Sequence, residues 1–335
     1  MVRRSPLTLA ALATSAVPGL DVTSAAPLGG SGGEVDSALL TAADGRALVI
    51  RVPRTAAAES EQSADLVAVR ALSDGVRARL PFGVPRMLGQ APVDGTRAIV
   101  AEFVDGSPVR LGDLTPGLAA SIGRAVAAIH ALPTSVVADV GLPQLRAIDV
   151  MRESVTTLDR AAATGLVPAA LLQRWELAAD DSALWQFTPT VVNGSLSAAS
   201  FLAVGDSITG LLGWARLHVG DPARDLFWLL GADDPEVPEV AFDAYHQARG
   251  VHDRDIARRA TFAAELELAR WLLHGADQRS TEIVDDAVGM LHALLDRVGG
   301  DLVHPLASPP ASPVGMAEVD ELLERGVPGG PGSAA

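Results

Sequence analysis

The sequence predicts an α+β chain in two lobes, a small antiparallel sheet crossed by one helix and then a mainly helical lobe. Three observations lead there. Between Leu28 and Val104 apolar and polar residues alternate at strand spacing around one helical stretch. Beyond "DGSP" the apolar period becomes helical. Near residue 190 short strands return as a hairpin, and helical patterns follow it to Val298. At 335 residues, 48% hydrophobic and 20% charged, the chain is long enough for one large two-lobed unit with a proper core.

The opening, "MVRRSPLTLAALATSAVPGL", imitates a secretory leader, with two arginines ahead of an apolar run. Thr8, Thr14 and Ser15 interrupt that run. It reads instead as a short amphipathic helix with Ser5 as cap and Pro6 in the first turn, and the remainder reads as a cytoplasmic domain. Residues 1–26 are assigned to this helix and extension, 27–106 to the sheet lobe, 107–300 to the helical lobe and 301–335 to a tail. In the sheet lobe, Asp44-Gly45 inside "LLTAADGRALVIRV" is a two-residue hairpin signal between antiparallel strands. Leu66, Val69 and Leu72 then recur at helical spacing, and "GVPRMLGQ" and "RAIVAEFVDGSP" read as two further strands.

In the helical lobe, "LTPGLAASIGRAVAAIHALP" places Leu118, Ile122, Val126 and Ile129 on one face and stops at Pro133. The hairpin turns at Gly205-Asp206. Four helical stretches follow, "DPARDLFWLLGA", "PEVAFDAYHQARG", "RDIARRATFAAELELARWLLHGA" and "TEIVDDAVGMLHALLDRV". Trp214, Trp228 and Trp271 read as core residues. The tail is rich in Pro, Gly and Ser, with one short helix expected over "MAEVDELLERG". No stretch has the apolar length of a membrane span.

A net charge of -15 argues against general affinity for nucleic acid or anionic lipid, which would repel such a chain. Polycationic small molecules are the more natural partners, although an acidic balance also simply keeps a protein dispersed. No cysteine is present, which removes disulfides, thiolate nucleophiles and cysteine metal sites. All 26 basic residues are arginine, so every mechanism that needs a lysine is excluded.

The segment "VVNGSLSAASFLAVGDSITGLLGWARLHVGDPARDLFWLL" resembles the signature of the aminoglycoside and macrolide phosphotransferases. In that family H-G-D-x-x-x-x-N opens a hairpin, I-D-W closes it and G-D-P-x-x-D-L follows. The likeness extends more weakly from about Leu7 to Val298. It implies a protein-kinase-like fold and transfer of a phosphoryl group to a small molecule, with one Asp accepting the hydroxyl proton while an Asn and a second Asp hold magnesium.

This sequence departs from that pattern at the positions that matter. The family's His is Asn193, its base Asp is Ser195, its metal-binding Asn is Ser200, and the Asp of I-D-W is Gly213. A serine hydroxyl is no proton acceptor near neutral pH, and glycine has no side-chain ligand for magnesium. In "LVIRV", Arg51 stands at the phosphate-binding lysine, and the partner glutamate aligns with Asp65, so an Arg51–Asp65 pair is one expectation. Guanidinium is wider than ammonium and aspartate one methylene shorter than glutamate, so the exchange changes the geometry.

The resemblance also marks candidate nucleotide contacts at Gly29, Gly30, Ser31 and Gly32 of "LGGSGG", whose backbone amides could cradle phosphate, although glycines at a hairpin tip are ordinary turn residues. Asp221 and Asp225 of "GDPARDL" are assigned to anchoring the loop, and His130 to a buried hydrogen bond. No cofactor is certain; ATP is the candidate, held without magnesium. The expectation is therefore a pseudoenzyme that keeps the scaffold and binds a nucleotide or small molecule between its lobes. The alternative is an active O-phosphotransferase that recruits Asp206, His218 or Asp221.

Overall fold

The structure is a computed structural model that describes residues 3–29, 33–251, 253–299 and Leu306. It opens with α1 (Pro6–Ala16). Ser5 Oγ accepts the Thr8 N–H at 3.1 Å, and Pro6 takes a first-turn position where no amide donor is needed. Leu9, Ala13 and Ala16 turn inward and join a core shared with Leu40, Leu48, Ile50 and Val100. The arginine-led apolar opening is thus a helix packed on a sheet. Arg4 secures its start, bonding Asp36 at 3.1 Å and Asp94 at 2.8 Å.

The sheet is formed by β1 (Val22–Pro27), β2 (Val35–Ala42) and β3 (Ala47–Pro53), followed after α2 (Ala56–Ala71) and the single turn α3 (Asp74–Arg77) by β4 (Met87–Val93) and β5 (Thr96–Glu102). Its order is β1-β2-β3-β5-β4, antiparallel throughout. The Asp44-Gly45 turn joins β2 to β3 in the register Leu39–Val49 and Leu40–Leu48. One expectation is corrected here. The alternating pattern begins at Leu28, but the first strand lies ahead of it, mostly within the amino-terminal extension, because Val22 to Pro27 pairs along β2 from Ala42 to Ala38.

Thr55 caps α2 by accepting the Ala58 N–H at 3.2 Å, and Leu66, Ala68 and Ala71 are buried. At the other end Arg77 donates to Leu72 O at 2.7 Å and Val84 O at 2.6 Å. A cation therefore sits on the carbonyl end of α2, where the helix dipole favours it.

The connector includes β6 (Ser107–Pro108), which pairs with a strand of the second lobe. That lobe holds α4 (Pro116–His130), the short α5 (Ser135–Ala138), α6 (Ala147–Ala163), α7 (Ala169–Asp180), β7 (Thr190–Val192), the hairpin β8 (Phe201–Val204) and β9 (Ser207–Leu211), β10 (His218–Gly220), α8 (Glu236–Arg249), α9 (Ile256–Gln278) and α10 (Thr281–Val298). One core gathers around α4 and includes Trp214 and Trp228. Another contains Trp175 and Trp271 from α7 and α9.

Two readings differ from the structure in this lobe. "DPARDLFWLLGA" is not one α-helix but two 3-10 segments, Pro222–Asp225 and Phe227–Gly231. The break falls at Leu226, whose φ of -117 is outside the helical range. Between Pro133 and Thr190, α6 and α7 supply helices the sequence reading did not identify. The expected tail helix lies outside the described residues.

Candidate functional site

Strand β7 carries the chain into the loop from Asn193 to Ser197, and β8 with β9 returns it to Gly213 and Trp214. Asn193 is fully buried. Its Nδ2 donates to Gly213 O at 2.7 Å, and its Oδ1 accepts the Ser195 N–H at 3.2 Å. The side chain at the family's His position therefore stitches the two ends of the hairpin together. Ser195 is exposed, and its hydroxyl lies 3.3 Å from Asn193 Oδ1. Ser200 Oγ accepts the Ser197 N–H at 3.2 Å, closing the short turn over Ala198–Ser200. Gly213 is exposed, with φ +73 and open space where a Cβ would stand.

Asp225 is fully buried beneath this loop. Its Oδ2 accepts the Asn193 N–H and its Oδ1 the Gly194 N–H, each at 2.7 Å. His130 Nε2 lies 3.1 Å from the same Oδ2, and His130 Nδ1 lies 2.9 Å from the Tyr245 hydroxyl. Burial pushes the Tyr245 phenol well above its ordinary range, so it stays protonated beside the imidazole. Loop, α4 and α8 are joined through one carboxylate, with Gly194 at φ +84 pressed against Arg216 O.

Asp221 faces another way. Arg259 Nε donates to both its oxygens, at 3.0 and 2.9 Å, and Arg259 also bonds Asp253 Oδ2 at 2.5 Å while stacking over Phe187 at 4.4 Å. Asp206, at the β8–β9 turn, accepts from Thr115 Oγ1 at 2.7 Å beside the start of α4. His218 is held through Nδ1 against Arg216 O at 2.7 Å. Asp206, His218 and Asp221 each bond a neighbouring residue, Asp206 and His218 through one side-chain atom and Asp221 through both oxygens.

On the sheet side, Asp65 projects from α2 and its Oδ1 accepts the backbone N–H of Trp214 at 2.6 Å. Burial raises the pKa of this carboxyl, against the opposing effects of the Trp214 N–H and the Arg51 charge. Arg51 is exposed on β3 and makes no ion pair with Asp65, although its field reaches it. The expected Arg51–Asp65 pair is therefore replaced by a bond across the lobes. The shorter aspartate arm reaches the chain after Gly213 rather than the guanidinium. Gly29 follows β1 at the entrance to its loop; Gly30, Ser31 and Gly32 lie outside the described residues.

This set of donors does not suit magnesium. A hydroxyl at Ser200 and a glycine at 213 stand where an amide oxygen and a carboxylate would hold the ion, and among the described residues no group of three or more His, Asp or Glu is gathered to hold a metal. Arg51 does suit an anion. Arg259, Tyr245 and the Trp214 N–H, partners of Asp221, His130 and Asp65, escaped the sequence reading. Each pairing joins residues far apart in the chain, and no local motif announces it.

Several solved structures are similar to this one. A macrolide 2'-phosphotransferase from Brachybacterium faecium, as apoenzyme, is 24% identical with a TM-score of 0.67 over 85% of this chain and 97% of that one. A macrolide 2'-phosphotransferase type I is 23% identical, with a TM-score of 0.67 over 87% and 99%. The GDP complex of an aminoglycoside 2'-phosphotransferase-IIIa is 17% identical, with a TM-score of 0.68 over 87% and 98%. No curated protein sequence matches. At these identities the likeness establishes the kinase-like fold. The model described as phosphotransferase enzyme family matches residues 27–294, from the first sheet strand into α10. The chain belongs to the phosphotransferase enzyme family.

Proposed function

We propose that this chain is a catalytically impaired member of its family that binds a nucleotide, or another phosphate-bearing small molecule, in the cleft between its lobes without magnesium. The observation that carries the reading is the bond from Asn193 Nδ2 to Gly213 O. Asn193, at the family's His position, is engaged in holding the hairpin closed through the Gly213 backbone carbonyl, Gly213 has no side chain to offer a metal, and Ser195 and Ser200 serve local turns. Loss of the base alone costs a factor of about 10² to 10⁴ in rate, and the metal ligands are replaced as well.

Binding survives this change for an electrostatic reason. Two family carboxylates are replaced by neutral residues at Ser195 and Gly213, which removes repulsion toward a polyphosphate, and Arg51 stays exposed on β3 at the position of the family's phosphate-binding lysine. Similar structures are described as complexes with GDP and with streptomycin and ATP, so this architecture accepts a purine nucleotide.

Calorimetry on the full chain with ATP, with magnesium and then with chelator, tests the binding half of the reading. Binding of comparable strength in both conditions, weakened by Arg51→Ala, is expected. Radiolabelled phosphate transfer to a panel of macrolides and aminoglycosides tests the other half, with no transfer expected. Magnesium-dependent transfer would overturn the proposal.

A further inference from the structure

A depression of about 410 Å³ opens on the side of the molecule where the end of α2 and α3 meet the segment after α4. One wall comes from the sheet lobe and carries Arg70, Val76 and Arg79. The other comes from the helical lobe and carries Val136, Asp139 and Val140. None of these residues belongs to the β8–β9 hairpin or to the set of residues around Asn193, Asp225, Asp65 and Arg51.

Its chemistry is unusual for this chain. Arg70 and Arg79 are both exposed, and neither forms an ion pair with another described residue. Asp139 is the single carboxylate among the described lining residues, so the depression carries an excess of cation on a protein whose net charge is -15. Val76 and Val136 supply apolar surface, and Val140 is left 40% exposed at the edge. The sheet-lobe wall is held in shape by Arg77, which bonds Leu72 O and Val84 O on either side of it. The depression is open to solvent and combines apolar valine surface with charged side chains at its edge, a pairing of features that small-molecule sites also use.

We infer that this depression is a second binding site, one that takes a small aliphatic anion. A carboxylate or phosphate monoester head would lie between Arg70 and Arg79, where guanidinium presents paired donors, and a short alkyl body would rest on Val76, Val136 and Val140. Asp139 sets the selectivity by repelling a head group displaced toward the helical-lobe wall. Because the walls belong to different lobes, the occupant joins α2 to the helical lobe. Asp65, the α2 residue bonded to Trp214, stands on the same helix. The inference is independent of whether a nucleotide binds in the cleft.

Methyl-labelled full-length protein titrated with hexanoate, hexyl phosphate and hexylammonium, and followed by NMR, tests it. Hexanoate or hexyl phosphate should shift the methyl signals of Val76, Val136 and Val140, with a dissociation constant on the order of 1 mM or tighter; the tighter of the two identifies the head group. Hexylammonium should leave them in place. The Arg70→Gln/Arg79→Gln variant should bind about tenfold more weakly, and Arg51→Ala should bind as the parent does. Silent valines, an equal response to hexylammonium, an unaffected double variant, or loss of binding on Arg51→Ala would each overturn the inference. The exposed arginines can be exchanged without disturbing the core, and the thermal midpoint of the double variant verifies that it is folded.

Discussion

Asp65 and Trp214 meet across the two lobes through one hydrogen bond, from the Trp214 backbone N–H to Asp65 Oδ1 at 2.6 Å. Asp65 holds the chain immediately after Gly213, the position at which the family places a metal ligand. The bond leaves Arg51 without a carboxylate partner among the described residues and ties the end of the hairpin to the sheet-lobe helix.

Asp65 gives a pH-dependent prediction. Burial raises its pKa above the ordinary value of 3.8, so the folded chain holds this proton more tightly than the unfolded one. Its contribution to stability is complete below that ordinary value and is lost as pH rises through the raised folded value. Asp65→Asn keeps an oxygen for Trp214 and has no charge to bury. Its stability relative to the parent should rise from pH 4 toward neutrality, as read from urea unfolding at several pH values. Asp65→Ala leaves the Trp214 N–H without its acceptor and should cost about 1–3 kcal/mol.

Asp225 predicts a larger effect. Its two oxygens serve the Asn193 and Gly194 amides and face His130 Nε2. Asp225→Ala strands these buried donors together and should cost about 3–5 kcal/mol. Asp225→Asn retains one accepting oxygen and should fall between that variant and the parent. Denaturant midpoints of the three proteins check the order.

The two loop glycines should differ. Both Gly194 and Gly213 hold positive φ, at +84 and +73, which costs a non-glycine residue about 1–3 kcal/mol. An added Cβ at Gly194 would stand 2.7 Å from Arg216 O, whereas at Gly213 it meets nothing within 4 Å. Gly194→Ala should therefore lower the thermal midpoint more than Gly213→Ala, and calorimetric melting of both decides it.

Restoring the family residues should restore a metal site. The combined variant Ser195→Asp, Ser200→Asn and Gly213→Asp returns oxygen ligands to the hairpin, and the open space at Gly213 admits the new carboxylate at the cost of backbone strain alone. Magnesium should then strengthen ATP binding measurably by calorimetry, while it leaves the parent protein unchanged. A triple variant as indifferent to magnesium as the parent would remove the argument that these positions explain the impairment.

The sequence by itself determined the family scaffold and the character of the hairpin. The Asp44-Gly45 turn, the α4 periodicity from Leu118 to Ile129 and the spacing from Asn193 to Asp225 are local, and local chemistry governs them. Chemical capacity was equally legible, since serine and glycine lack their donors in any fold. The bonding partners follow instead from how the lobes pack. Asp65 chose Trp214 over Arg51, Asp221 chose Arg259, and Asn193 closed on Gly213, because each pairing depends on side-chain reach and burial between segments far apart in the chain. The 3-10 course of Pro222–Gly231 was decided in the same way, as anchoring Asp225 under the loop took precedence over a continuous helical period.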